Sequence, residues 1–184
     1  LKTSLLRELP VLLLVVALAW ASGALDRRNQ ADVVLGRLDE PVTAAGSRIT
    51  VDSPELAATL SQERYGDTTT MTTDGIFVTV MLRDENLDAG APAWRPRLRS
   101  GDRSYTTLEY LTSHPDDGFA RTQMVVFELD PADVADAQLV LVPGSLFTGY
   151  SSEIHIDLHL DPADLPAARE RTVGVVRPVD GPIR

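Results

Sequence analysis

The sequence predicts an all-β chain, one β-sandwich, preceded by a single N-terminal transmembrane helix. Three observations carry this expectation. Leu9 to Leu25 is an apolar run without a charge, and nothing downstream resembles it. After it come about seven or eight short apolar segments of strand length, separated by Pro, Gly, Asp and Ser, the texture of a sandwich. No long amphipathic helix follows, and the gaps are too rich in helix breakers to hold the crossover helices of a parallel sheet.

The N-terminal run, LPVLLLVVALAWASGAL, is preceded by Lys2 and Arg7. A bilayer core of roughly 30 Å takes about 20 helical residues. The run sits at the low end, and reaches spanning length if it starts at Leu5 with Arg7 and Glu8 in the headgroup layer. The alternative is a signal peptide with Val11 to Ala17 as its apolar core and Ala19-Trp20-Ala21 as a small-x-small cleavage site. The uncleaved anchor is the preferred reading: residues 1–25 hold the chain in the membrane and the rest is extracytoplasmic. A protein secreted after cleavage at Ala21 is the alternative. Residues 26–47 are polar and broken by Gly and Pro, and read as a linker, with room for a short helical turn through Ala31 to Leu38.

From Arg48 the pattern becomes β-like. Ile49 to Val51 and Leu56 to Leu60 are strand candidates split by Ser53-Pro54. Gly75 to Leu82 is the clearest, with Ile76, Val78, Val80 and Leu82 sharing one face at period two. Trp94 to Arg99 is a strand with one charged face, and Ser100-Gly101-Asp102 is a turn toward Tyr105 and Leu108. Gln123 to Leu129 and Gln138 to Val142 are apolar strands, and Ile154 to Leu160 alternates strictly. The sandwich is thus assigned to residues 48–160. Residues 161–184 form a Pro-containing tail in which Val173 to Val176 is either an added edge strand or part of a flexible end. Leu129-Asp130-Pro131-Ala132-Asp133 is echoed by Leu160-Asp161-Pro162-Ala163-Asp164. In each, Asp is placed to cap a short helical turn and Pro to start it.

Several segments share an order with a known group. They are Asp74-Gly75-Ile76-Phe77-Val78-Thr79-Val80, the turn Ser100-Gly101-Asp102-Arg103-Ser104-Tyr105, the strand Met124-Val125-Val126-Phe127-Glu128-Leu129 followed by Pro131, and Leu139-Val140-Leu141-Val142. In this the chain resembles the telokin-like immunoglobulin-fold domains of exported and membrane-anchored actinobacterial proteins. The resemblance spans roughly Arg48 to Leu160, and Asp130 between Leu129 and Pro131 departs from the pattern. It implies an immunoglobulin-like β-sandwich presented outside the membrane, and brings no catalytic residues with it.

The net charge of -10 argues against nucleic-acid binding. The absence of cysteine excludes a disulfide scaffold and thiolate metal sites. Within this acidic chain, Arg95, Arg97 and Arg99 fall on one face of a strand, with Arg103 just behind. This row suits the carboxylates of an acidic protein segment or lipid headgroups. The competing reading is a solvated face on an edge strand marked by Pro96, its arginines paired with Asp84, Glu85, Asp116 or Asp117.

Glu153, His155, Asp157 and His159 share the polar face of another strand. Alternate strand residues lie about 6.5 to 7 Å apart. A metal site built on His155, His159 and Asp157 therefore needs a further ligand such as His114, and a plain solvated face is the preferred reading. Ser145 with His114 lacks the G-x-S-x-G elbow of a serine hydrolase. The expectation is a non-enzymatic, extracytoplasmic binding or accessory module with no cofactor. It would be anchored through residues 9–25 beside a larger membrane-protein partner.

Overall fold

The computed structural model describes residues 32–64, 67–108, 115–144 and 152–183. The chain divides into an N-terminal unit, Leu1–Asp32, and a second unit, Val33–Arg184, which holds the β-structure. The predicted anchor, His114 and Ser145 lie outside the described residues. Among those described, no helix is long and apolar enough to cross a membrane.

The second unit is a β-sandwich. Its first sheet has the order β1-β10-β9-β6-β7, from β1 (Asp32–Gly36), β10 (Ser152–Asp157), β9 (Gln138–Pro143), β6 (Trp94–Ser100) and β7 (Arg103–Thr106). The second is built around β5 (Asp67–Asn86). β3 (Ser47–Val51) and β4 (Glu55–Arg64) follow one another along one edge of β5, and β8 (Phe119–Leu129) lies on the other. Next to β3 is β2 (Val42–Ala44), next to β4 is β11 (Thr172–Gly174), and next to β8 is β12 (Val179–Pro182). The β11–β4 pairing is parallel.

Alternation explains the core. Ile76, Val78, Val80 and Leu82 of β5 point inward with Val125, Phe127 and Leu129 of β8. They meet Leu98 of β6, Leu139 and Leu141 of β9, and Ile154 and Ile156 of β10, all buried in one cluster. The two Asp-Pro segments behave as their composition dictates. Asp130 accepts a hydrogen bond from Ala132 N (3.0 Å) and Asp161 from Ala163 N (2.8 Å), each capping a 3-10 turn, Pro131–Asp133 and Pro162–Asp164. The second turn runs into the four-residue helix α1 (Leu165–Ala168). Removing either cap is expected to cost about 1 kcal/mol. Asp130→Ala should cost somewhat more than Asp161→Ala in urea denaturation, because Asp130 also faces Arg103.

Four expectations from the sequence need correction. Residues 26–47 are not all linker: β1 and β2 lie there, and Val34, Leu38 and Val42 pack against the core. Both strands are too short to show periodicity, and the short helical turn that the sequence allowed over Ala31 to Leu38 is strand from Asp32 to Gly36. The sandwich also continues past residue 160 through β11 and β12, so the tail supplies a strand to each side of the second sheet. The strand expected over 154–160 stops at Asp157, whose carboxylate accepts from His159 N at 2.9 Å; His159 takes a positive φ of 48°. Finally, β6 is not an edge strand, since it lies between β9 and β7. Pro96 is tolerated because β7 pairs only with residues from Arg97 onward, which leaves one side open beside the residue that lacks an N–H.

The outer face of the second sheet carries its own apolar cluster of Ala57, Leu60, Phe77, Val126 and Val173. Chain reach shows how it forms. Val175 N donates to Ser61 O, opposite Thr70, while Val179 pairs with Thr122, opposite Arg83. Thr70 and Arg83 would be about 40 Å apart on a straight strand, yet four residues span at most about 14 Å. The far half of the β4–β5 hairpin therefore folds back over the sheet. The bend lies where the register shifts between Ala57 and Thr59. A Cβ on Gly75 there would stand 2.6 Å from Leu129 O.

Candidate functional site

The outer face of the first sheet collects most of the sequence-predicted site residues. In β6 the buried Trp94, Pro96, Leu98 and Ser100 alternate with the exposed Arg95, Arg97 and Arg99, so the three guanidinium groups leave one face at strand pitch. Their cross-strand neighbours are neutral: Val142, Val140 and Gln138 on β9, with Thr106 and Ser104 on β7 opposite Arg97 and Arg99. Among the described residues, no ion pair or side-chain hydrogen bond holds Arg95, Arg97 or Arg99.

Two of the carboxylates expected to neutralise this row, Glu85 and Asp117, are occupied elsewhere. Glu85 accepts from Arg48 Nε (2.6 Å) across the β3–β5 pairing in the second sheet, and from Arg83 Nε (2.9 Å) two residues back on β5 itself. Asp117 accepts from Asn86 Nδ2 at 3.0 Å.

Arg103 is separate from the row. It sits on β7 and binds Asp133 Oδ2 (2.8 Å) and Asp130 Oδ2 (3.3 Å), while the Tyr105 hydroxyl also donates to Asp133. Those bonds, from Tyr105 foremost and then Arg103, outweigh desolvation and hold the Asp133 carboxyl below the usual aspartate range. Burial and the adjacent Asp133 push the Tyr105 phenol up. The arrangement ties β7 to the Pro131–Asp133 turn, which gives Arg103 a structural task. Sequence adjacency had grouped it with the row, and the intervening turn at Gly101 separates it.

Two strands from the arginines, β10 turns Glu153, His155 and Asp157 to the same outer face. His155 lies opposite Val140 and Asp157 opposite Gln138. His155 Nε2 is 3.0 Å from Glu153 Oε2, and His159 Nδ1 is 3.4 Å from Asp157 Oδ1. His155 is largely covered while His159 is exposed beyond the strand end. Each imidazole is therefore matched with its own carboxylate rather than converging with the other on a common point. Among the described residues, no group of three or more His, Asp or Glu side chains is placed to hold a metal ion.

Two open clefts flank this region. One of about 540 Å³ is lined by Leu35, Arg37, Glu40, His155, Asp157 and His159, and one of about 270 Å³ by Arg99, Asp136, Gln138 and Asp157. The sequence revealed the polar faces of both strands through their alternation. It missed that β9 lies between them, because strand order is not a local property.

Neither the known protein families nor the curated proteins contain a match to this sequence. Among solved structures, an uncharacterized β-sandwich protein from Clostridium difficile 630 is similar at 11% identity and a TM-score of 0.43, over 71% of this chain and 95% of that one.

Proposed function

We propose that this chain is a non-catalytic recognition module, held at a membrane by residues 9–25 with its sandwich on the extracytoplasmic side. Its contact surface is the outer face of the first sheet, and its partner belongs to a larger membrane assembly. The observation that carries this reading is the row Arg95, Arg97 and Arg99, three exposed guanidinium groups at strand pitch that no carboxylate neutralises among the described residues. Such groups bind carboxylates in bidentate fashion. Immunoglobulin-like topology of the telokin-like type belongs to the same proposal; the turn at Gly101 and the strand ending at Leu129 support it.

Only residues 26–31 separate the apolar run from β1, which favours a partner that itself lies at the membrane surface. The test is capture from detergent-solubilised native membranes by the full chain and by Arg95→Glu/Arg97→Glu/Arg99→Glu. The expected result is a defined membrane protein retained by the wild type and lost with the triple variant. Equal retention by both would overturn the assignment of this face. Intact-mass measurement of the purified protein tests the anchor: a start after Ala21 would replace it with a secreted module.

A further inference from the structure

The outer face of the first sheet carries its charges in two opposed columns. The registers put Arg99, Gln138 and Asp157 in one row and Arg97, Val140 and His155 in the next. Arg95 lies opposite Val142, and Glu153, one residue before the pair Ile154–Leu141, falls in the same row when the register is extended by one step. The columns are two ladder steps apart, about 9.5 Å, with neutral β9 between them.

A half-turn about a line parallel to β9, midway between two facing sheets, lays β9 over β9 and β6 over β10 while preserving strand direction. Arg99 then meets Asp157 of the second copy and Arg95 meets Glu153 of the second copy, and symmetry makes each contact twice. From this self-complementarity we infer that the face is a self-association surface and that its occupant is a second copy of this chain. The inference rests on the reading that this face is the contact surface, and goes beyond it by naming the occupant.

One further feature agrees. Leu35 lines the cleft beside His155 and Asp157, is 77% exposed, and gains cover when β1 is laid over β7 of the second copy. A broad anionic surface is a poorer match, because the acidic column lies about one Debye length from the arginines and offsets their attraction. Five strands present roughly 500 Å² per copy, below the ~800 Å² per partner of a stable complex. The dimer is accordingly weak and salt-sensitive, and tethering both copies in one membrane raises their effective concentration.

The test is sedimentation velocity of the full chain in detergent, at about 50 and 500 mM NaCl. A dimer is expected at low salt that dissociates at high salt. Arg99→Asp and Asp157→Arg should each weaken it about tenfold or more, since each change replaces two attractions by two repulsions. An equimolar mixture of the two variants should restore the dimer. In the mixed pair the carboxylate introduced by Arg99→Asp faces the guanidinium introduced by Asp157→Arg, and the unchanged Asp157 of the first variant faces the unchanged Arg99 of the second. This recovery also shows that both variants are folded. A wild-type monomer at low salt, or a dimer that survives both reversals, overturns the inference. Arginine-dependent capture of another membrane protein by a chain that stays monomeric would leave the proposed function standing and this inference refuted. A dimer with the expected charge behaviour that captures nothing else would do the reverse.

Discussion

Phe127→Ala is expected to lower the unfolding free energy by about 3 to 5 kcal/mol, the range for truncating a buried aromatic. Phe127 is fully buried in the main core, opposite Val78 on the central strand β5. Strand backbones hold the surrounding side chains in place, so the cavity cannot collapse without breaking ladder hydrogen bonds. With a total stability of about 5 to 15 kcal/mol for a typical domain, the loss is a large fraction of what holds the sandwich together. Urea denaturation gives the value directly. A loss below about 1 kcal/mol would mean that β8 does not present this residue inward.

Glu85→Gln is expected to cost about 2 kcal/mol at neutral pH, within the range for charge-assisted hydrogen bonds. Glu85 is nearly buried, and its two carboxylate oxygens are shared between Arg48 and Arg83. Burial pushes the carboxyl up, but the hydrogen bonds from Arg83 and Arg48 and their positive charges outweigh it and leave the group below the ordinary glutamate value. A lowered folded-state pKa binds fewer protons than the unfolded chain, so the stabilisation is fully present above the unfolded value of about 4.3 and fades as pH falls through the lower folded value. The wild type should therefore lose stability below about pH 4.3 faster than the variant. Parallel pH profiles for the two proteins would contradict the Arg48–Glu85–Arg83 arrangement.

Legibility in the sequence follows the range of the signal. The period-two faces of Ile76 to Leu82 and Trp94 to Arg99, and the Asp-Pro caps at Asp130 and Asp161, are set by neighbours within a few residues, and each is found in the fold. Asp67 to Thr73 is also strand, yet it is exposed on both faces apart from Thr73 and so carries no alternation to read. Val126 is buried as its apolar character predicts, but against the folded-back hairpin rather than in the main core. That bend depends on contacts with Val173 and Val175, far along the chain.

The sequence by itself determined the β class, the strand faces of the long alternating segments, the capped turns and the outward row of arginines, because side-chain direction and capping are local consequences of backbone geometry. Only the tertiary structure decided that β1, β2, β11 and β12 belong to the sandwich, that Arg103 serves Asp130 and Asp133, and that β9 separates the basic column from Glu153 and Asp157. These depend on which strands become neighbours. Neighbour choice follows from burying two apolar faces against each other over the whole chain, a global balance that no single segment encodes.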